Sequence, residues 1–102
     1  MVKLSSLNQK KWIAVYTRPR HEKMVKQELV KKGFETYLPM LRERRKWSDR
    51  KKWVEFPMFR SYVFTCITFN QVLPVLDTIG VVNIIKFGNE PAVVQDEHIE
   101  SI

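Results

Sequence analysis

Two histidines, one cysteine and three glycines are the residues from which an active centre would have to be assembled, and their spacing assembles none. His21 stands in a charged segment and His98 near the C-terminal end, with no His-Glu-x-x-His pattern and no second cysteine to share a metal. Gly33, Gly80 and Gly88 lie too far apart for a phosphate-cradling loop. The eleven acids are scattered, mostly among lysines, and no carboxylate pair converges for acid–base work. The expectation is no catalytic residue, no metal, no cofactor and no small-molecule substrate. What the sequence offers instead is charge and ring surface. Arg42, Arg44, Arg45, Lys46, Arg50, Lys51 and Lys52 face only Glu43 and Asp49, so eleven residues carry +5 of the net +7. A local basic run of this kind attracts polyanions, nucleic acid first among them.

The second chemical feature is the aromatic stretch from Phe56 through Pro57-Met58-Phe59-Arg60-Ser61 into Tyr62-Val63-Phe64-Thr65-Cys66-Ile67. Alternation puts Tyr62, Phe64 and Cys66 on one face of a strand and Val63, Thr65 and Ile67 on the other. Both faces are largely apolar, so the strand needs cover on both sides. A chain of 102 residues with twelve aromatics folds as one domain with a single core. Its apolar runs are too short to span a membrane, and Met1 to Lys11 has no signal-peptide core. The lone Cys66 excludes a disulfide within the chain and fits a cytoplasmic setting.

The elements that would position these features follow from periodicity and breakers. Residues 1–10 read as a flexible terminus, and Trp12–Tyr16 as a first strand with Trp12, Ala14 and Tyr16 on one face. After the break at Pro19 a helix is expected from about Arg20 to Lys32, with Met24, Val25 and Leu29 inward, Glu22–Lys26 and Glu28–Lys32 spaced for pairing, and Gly33 as its stop. Residues 37–59 read as a long hairpin turning at Ser48-Asp49-Arg50, with Trp47 across from Trp53 and Arg45 across from Glu55. The central strand Tyr62–Thr68 comes next. A short helix over Asn70–Thr78 with Val72, Val75, Leu76 and Ile79 inward ends at Gly80. Strands at Val81–Phe87 and Ala92–Val94 follow, and Asp96 caps a final helix that runs off the end of the chain. The fold class is α+β: a mainly antiparallel four-stranded sheet flanked by helices, with a protruding basic β-hairpin. Core positions are expected for Trp12, Phe34 and Phe69.

In order and spacing, the segments Lys11-Trp12-Ile13-Ala14-Val15-Tyr16, Gly33-Phe34-Glu35-Thr36-Tyr37-Leu38-Pro39, Pro57-Met58-Phe59-Arg60-Ser61-Tyr62-Val63-Phe64, Gly80-Val81-Val82-Asn83-Ile84-Ile85-Lys86-Phe87-Gly88 and Pro91-Ala92-Val93-Val94 resemble the NusG N-terminal domain. The likeness covers residues 11–102 and is nearer to specialised paralogues such as RfaH and the UpxY regulators of capsule operons than to housekeeping NusG. It implies a transcription elongation and antitermination factor that docks on the clamp helices of bacterial RNA polymerase and reduces pausing and termination. Carried across, Tyr16, Phe59, Tyr62 and Phe64 match the family's polymerase-binding ring patch, with Ile84 and Phe87 at its margin. The resemblance further implies DNA contact, on the non-template strand of the bubble, through Arg18 and Arg20 and the hairpin cations Arg44, Arg45, Lys46, Arg50, Lys51 and Lys52. Trp47 and Trp53 would be available to stack on bases. A monomer is expected, without the family's C-terminal KOW domain. A basic RNA-binding module of the ribosomal-protein kind, using the hairpin but needing no ring patch, is the alternative; an adaptor using the patch without nucleic acid is another.

Overall fold

The computed structural model describes residues 9–47 and 50–100. Strand β1 (Lys11–Thr17) is the hub, because every other strand of the main sheet joins it or its neighbour. The order is β2 (Glu35–Tyr37), β5 (Tyr62–Ile67), β1, β6 (Val81–Ile84), and all of these pairings are antiparallel. A fifth short strand, β9 (Val93–Val94), lies alongside Trp12 and Ile13, on a part of β1 that β6 does not reach. The expected four-stranded antiparallel sheet is therefore present with one strand more.

One face of the sheet carries the core. Ile13 and Val15 of β1, Val63 and Ile67 of β5, and Ile84 of β6 meet Val25 and Leu29 of helix α1 (Glu22–Lys31) and Val75 of helix α2 (Val72–Leu76). Phe34 and Leu38, flanking β2, close the same cluster. Helix α1 begins two residues later than the sequence indicates, because Arg20 turns the chain with φ 65°, a left-handed conformation unusual for a side-chain-bearing residue. Its expected i,i+4 ion pairs do not form. Glu22 is buried and turned to Ser61, Glu28 pairs with Lys31 at 3.3 Å, and Lys32 reaches across to Pro74 O and Thr78 Oγ1 at 2.9 Å each. Lys32 thereby ties the end of α1 to α2.

The segment before α2 starts as a 3₁₀ turn (Phe69–Gln71) in which the Gln71 side chain accepts from Thr68 N at 2.9 Å. Pro74 falls within the first turn of α2, where its missing N–H costs nothing. Ile79, expected inward, is exposed because α2 ends at Leu76 and the chain has left helical periodicity before it. Phe69, expected in the core, is likewise exposed, and Trp12 is only half-buried. The strand expected over Val81–Phe87 divides at Ile85 into β6 and a separate ribbon of β7 (Lys86–Phe87) with β8 (Glu90–Pro91). Helix α3 (Asp96–Glu100) follows β9.

The hairpin of β3 (Met40–Trp47) and β4 (Arg50–Pro57) forms its own two-stranded sheet. Eight residues of strand span roughly 27 Å, about half of a molecule whose extents are 56 × 28 × 24 Å. The register differs from the expected one by three residues. Arg42 lies opposite Glu55, Arg44 opposite Trp53 and Trp47 opposite Arg50. The two strands end three positions apart in sequence, at Trp47 and Arg50, so the register is not centred on Arg50. The conformation of Ser48 and Asp49 and the side chain of Trp47 lie outside the described residues, as do most of residues 1–10.

Candidate macromolecular docking site

The face of the sheet turned away from α1 and α2 is a ladder of rings. Cross-strand register sets three rows on it: Glu35, Cys66, Trp12 and Val94; then Tyr37, Phe64 and Ala14; then Tyr62, Tyr16 and Asn83. The third row holds a tyrosine pair with ring centroids 5.6 Å apart and tilted by 50°. Tyr16 is 38% exposed, and Tyr62 is half-buried beside it. Phe59, 41% exposed, stands in the turn before β5 and packs nearly perpendicular to Phe64, with ring centroids 6.0 Å apart. An aromatic surface with polar tips at its centre has the composition of a protein-docking site.

Two of the expected contact residues are buried in this geometry. Phe64 shares the face with Tyr62, as alternation requires, but is only 8% exposed because Phe59 covers it. It supports the surface from beneath. Ile84 is 2% exposed and sits opposite Val15 on the core side, and the ring face receives its neighbour Asn83 instead. Phe87 is 67% exposed but stands on the β7–β8 ribbon, off the main sheet.

Backbone fastening holds this surface in place. Ser61 has φ 67°, a strained conformation for a serine. Its N–H donates to the buried Glu22 carboxylate at 3.2 Å, and its carbonyl accepts from Thr17 N at 2.8 Å. Thus α1 and β1 together clamp the residue that aims Phe59 and Tyr62. Sequence reading assigned Glu22 to a surface ion pair and missed this role, since the partner lies 39 residues away. Cys66, in the first row, is chemically quiet. Burial pushes its thiol up, the Glu35 and Asp96 carboxylates add to that, and Lys10 and Lys11 only partly oppose them.

The basic side chains form two groups. Strand alternation puts Arg42, Arg44, Lys46 and Lys51 with Trp53 on one face of the hairpin, and Arg45, Arg50 and Lys52 with Phe56 on the other, so the projection is cationic on both sides. Arg42 stacks over the exposed Trp53 ring at 4.8 Å while its Nε lies 3.8 Å from Glu55. Arg45 reaches over Phe56 at 5.7 Å and pairs with Glu43 at 3.4 Å. These exposed contacts stiffen the hairpin modestly, at about 0.5–1 kcal/mol for each cation–ring pair. The second group sits at the turn between β1 and α1. Arg18 and Arg20 are exposed there, and Arg20 lines an open cleft of about 680 Å³ with Lys23, Arg60 and the end of the hairpin at Pro57. Lys23 and Arg60 were not singled out by sequence, because neither belongs to a basic run. Among the described residues no group of three or more His, Cys, Asp or Glu is placed to hold a metal ion. No helix among them is long and apolar enough to cross a membrane.

Comparison with known proteins points to one family. The family model described as "Transcription termination factor nusG" matches residues 10–102. No curated protein matches the sequence. Eighteen solved chains match in structure. One, described as "Domain interaction in Thermotoga maritima NusG", superposes with a TM-score of 0.56 at 22% identity, over 89% of this chain and 54% of that one. At such identity the likeness is one of fold, and this chain spans about half the length of that relative.

Proposed function

The chain belongs to the NusG family, and from that membership we propose that it is a transcription elongation and antitermination domain of the specialised, RfaH- and UpxY-like kind, which regulates capsule operons. Its ring face docks on the clamp helices of bacterial RNA polymerase, its basic hairpin and the Arg18–Arg20 turn contact DNA on the non-template strand, and the bridge so formed reduces pausing and termination. Residues 11–102 make up this one domain, acting as a monomer without catalytic chemistry. The single observation that carries the reading is the tilted Tyr16–Tyr62 pair standing open beside Phe59 on the sheet face that α1 and α2 leave free. A monomer core has no use for a ring pair left in water, whereas a docking surface does. The test is capture of polymerase by the immobilised chain, with intact enzyme and with enzyme lacking its clamp helices. Capture of the intact form only is expected; equal capture of both forms sinks the assignment.

The hairpin makes a separate, measurable contribution. Reversing Arg45, Lys46 and Lys51 to glutamate removes three phosphate-directed cations without touching the core, since all three are exposed. Each phosphate that is no longer neutralised flattens the slope of log affinity against log salt by roughly 0.7–0.9. The triple variant is therefore expected to bind DNA less tightly and with a slope shallower by about 2. An unchanged slope would leave the hairpin without a nucleic-acid role. The reading as an RNA-binding module predicts instead tight binding to free RNA in the absence of polymerase, which a mobility-shift titration decides.

A further inference from the structure

A groove of about 510 Å³, lined by α1 and by Leu38, Met40 and Glu55 at the base of the hairpin, shares no residue with the ring face; of the groups given to DNA contact it borders only Lys23 beside the Arg18–Arg20 turn and the hairpin base. Its apolar lining is Val30, Leu38 and Met40, and its basic lining is Lys23, Lys26 and Lys31. Val30 is more than half exposed, an apolar residue left open among these cations. Lys26 lines the groove and is half-buried, as a lysine is when its aliphatic stem packs on apolar surface. Lys23 and Lys26 make no ion pair among the described residues, and Lys31 holds only an exposed pair with Glu28 at 3.3 Å. The one acid in the lining, Glu55, already lies against Arg42 at 3.8 Å. The groove thus combines apolar and cationic lining, and of its three lysines only Lys31 has an acidic partner among the described residues.

We propose that this groove is a docking site for an acidic amphipathic helix of a protein partner. At 1.5 Å per residue, Lys23 and Lys31 are roughly 12 Å apart along α1. That is about two turns, the distance between acids at i and i+7 or i+8 on a partner helix lying alongside. An apolar stripe between those acids would fall on Val30 and Met40, as in other helix-in-groove complexes. Nucleic acid suits the site poorly: the lining has no aromatic ring to stack a base, and a phosphate backbone over the lysines would leave the apolar lining wet.

The probe is a synthetic amphipathic helix with glutamates at i, i+4 and i+7 beside leucines, titrated into ¹⁵N-labelled protein. Saturable shifts confined to α1 and the start of β3 are expected, weakened about tenfold in Val30→Asp and in Lys26→Glu. Thermal melts check that both variants stay folded, which the exposure of Val30 favours; should Val30→Asp unfold, Lys26→Glu alone decides. Polyglutamate of equal length and a DNA oligonucleotide form the control arms. The proposal is overturned if the probe's shifts scatter over the surface, if polyglutamate binds equally well, if the DNA occupies the same residues, or if both variants bind as tightly as the native chain. None of these outcomes bears on polymerase capture through the ring face, so the two readings fail independently.

Discussion

Replacing Tyr62 by alanine is expected to weaken binding to the polymerase clamp helices roughly 30-fold, and replacing Tyr16 as well to abolish capture. Tyr62 stands where an interface anchor would. A tyrosine at the centre of a docking surface contributes about 2 kcal/mol or more when truncated, and about 1.4 kcal/mol is tenfold in affinity. The two rings touch at 5.6 Å, so their effects will not simply add, and the double variant measures the pair. Both side chains reach the surface, so the domain should remain folded by circular dichroism. Phe64→Ala is a different experiment. Its ring is buried beneath Phe59, and removing it is expected to cost about 3–5 kcal/mol of stability, so a drop in binding there would report unfolding. Full affinity in the folded Tyr16/Tyr62 double variant, measured by biolayer interferometry on the isolated clamp helices, would remove the ring face from the mechanism.

Gly80→Ala is expected to lower the melting temperature by more than about 10 °C, whereas Gly33→Ala shifts it far less. Both glycines have φ 90°, so both substitutions meet the left-handed penalty of roughly 1–2 kcal/mol. Their surroundings differ. A Cβ on Gly33 would have no neighbour within 4 Å. On Gly80 it would come within 2.8 Å of Val25 Cγ2 and 3.0 Å of Met24 Cε, both on α1. Val25 is fully buried and cannot swing away, so overpacking adds about 1–3 kcal/mol. A domain of this size loses roughly 4–8 °C per kcal/mol. The damage reaches the basic turn too, since the Gly80 carbonyl accepts from Arg18 N at 2.9 Å. Equal shifts for the two variants, read by differential scanning calorimetry, would show that backbone strain alone governs both sites.

Much of this molecule is legible in one dimension because its cues are local. Pro19, Gly33, Pro57 and Gly80 punctuate the chain, strand alternation sorts Trp12, Ala14 and Tyr16 from Ile13 and Val15, and the cation run announces a projection too polar to bury. Such signals need only a residue and its neighbours within a few positions. What tertiary structure alone decided is which side each feature faces and what covers it. Period-two alternation relates Ile84 to Asn83 but is silent on which of them meets the helices; pairing with Val15 settles it. Phe59 packing against Phe64, Glu22 leaving its helix surface for Ser61, and the three-residue shift in the hairpin all depend on partners elsewhere in the fold. Burial is a property of the packed pair, and the second member of each pair enters only when the chain has closed.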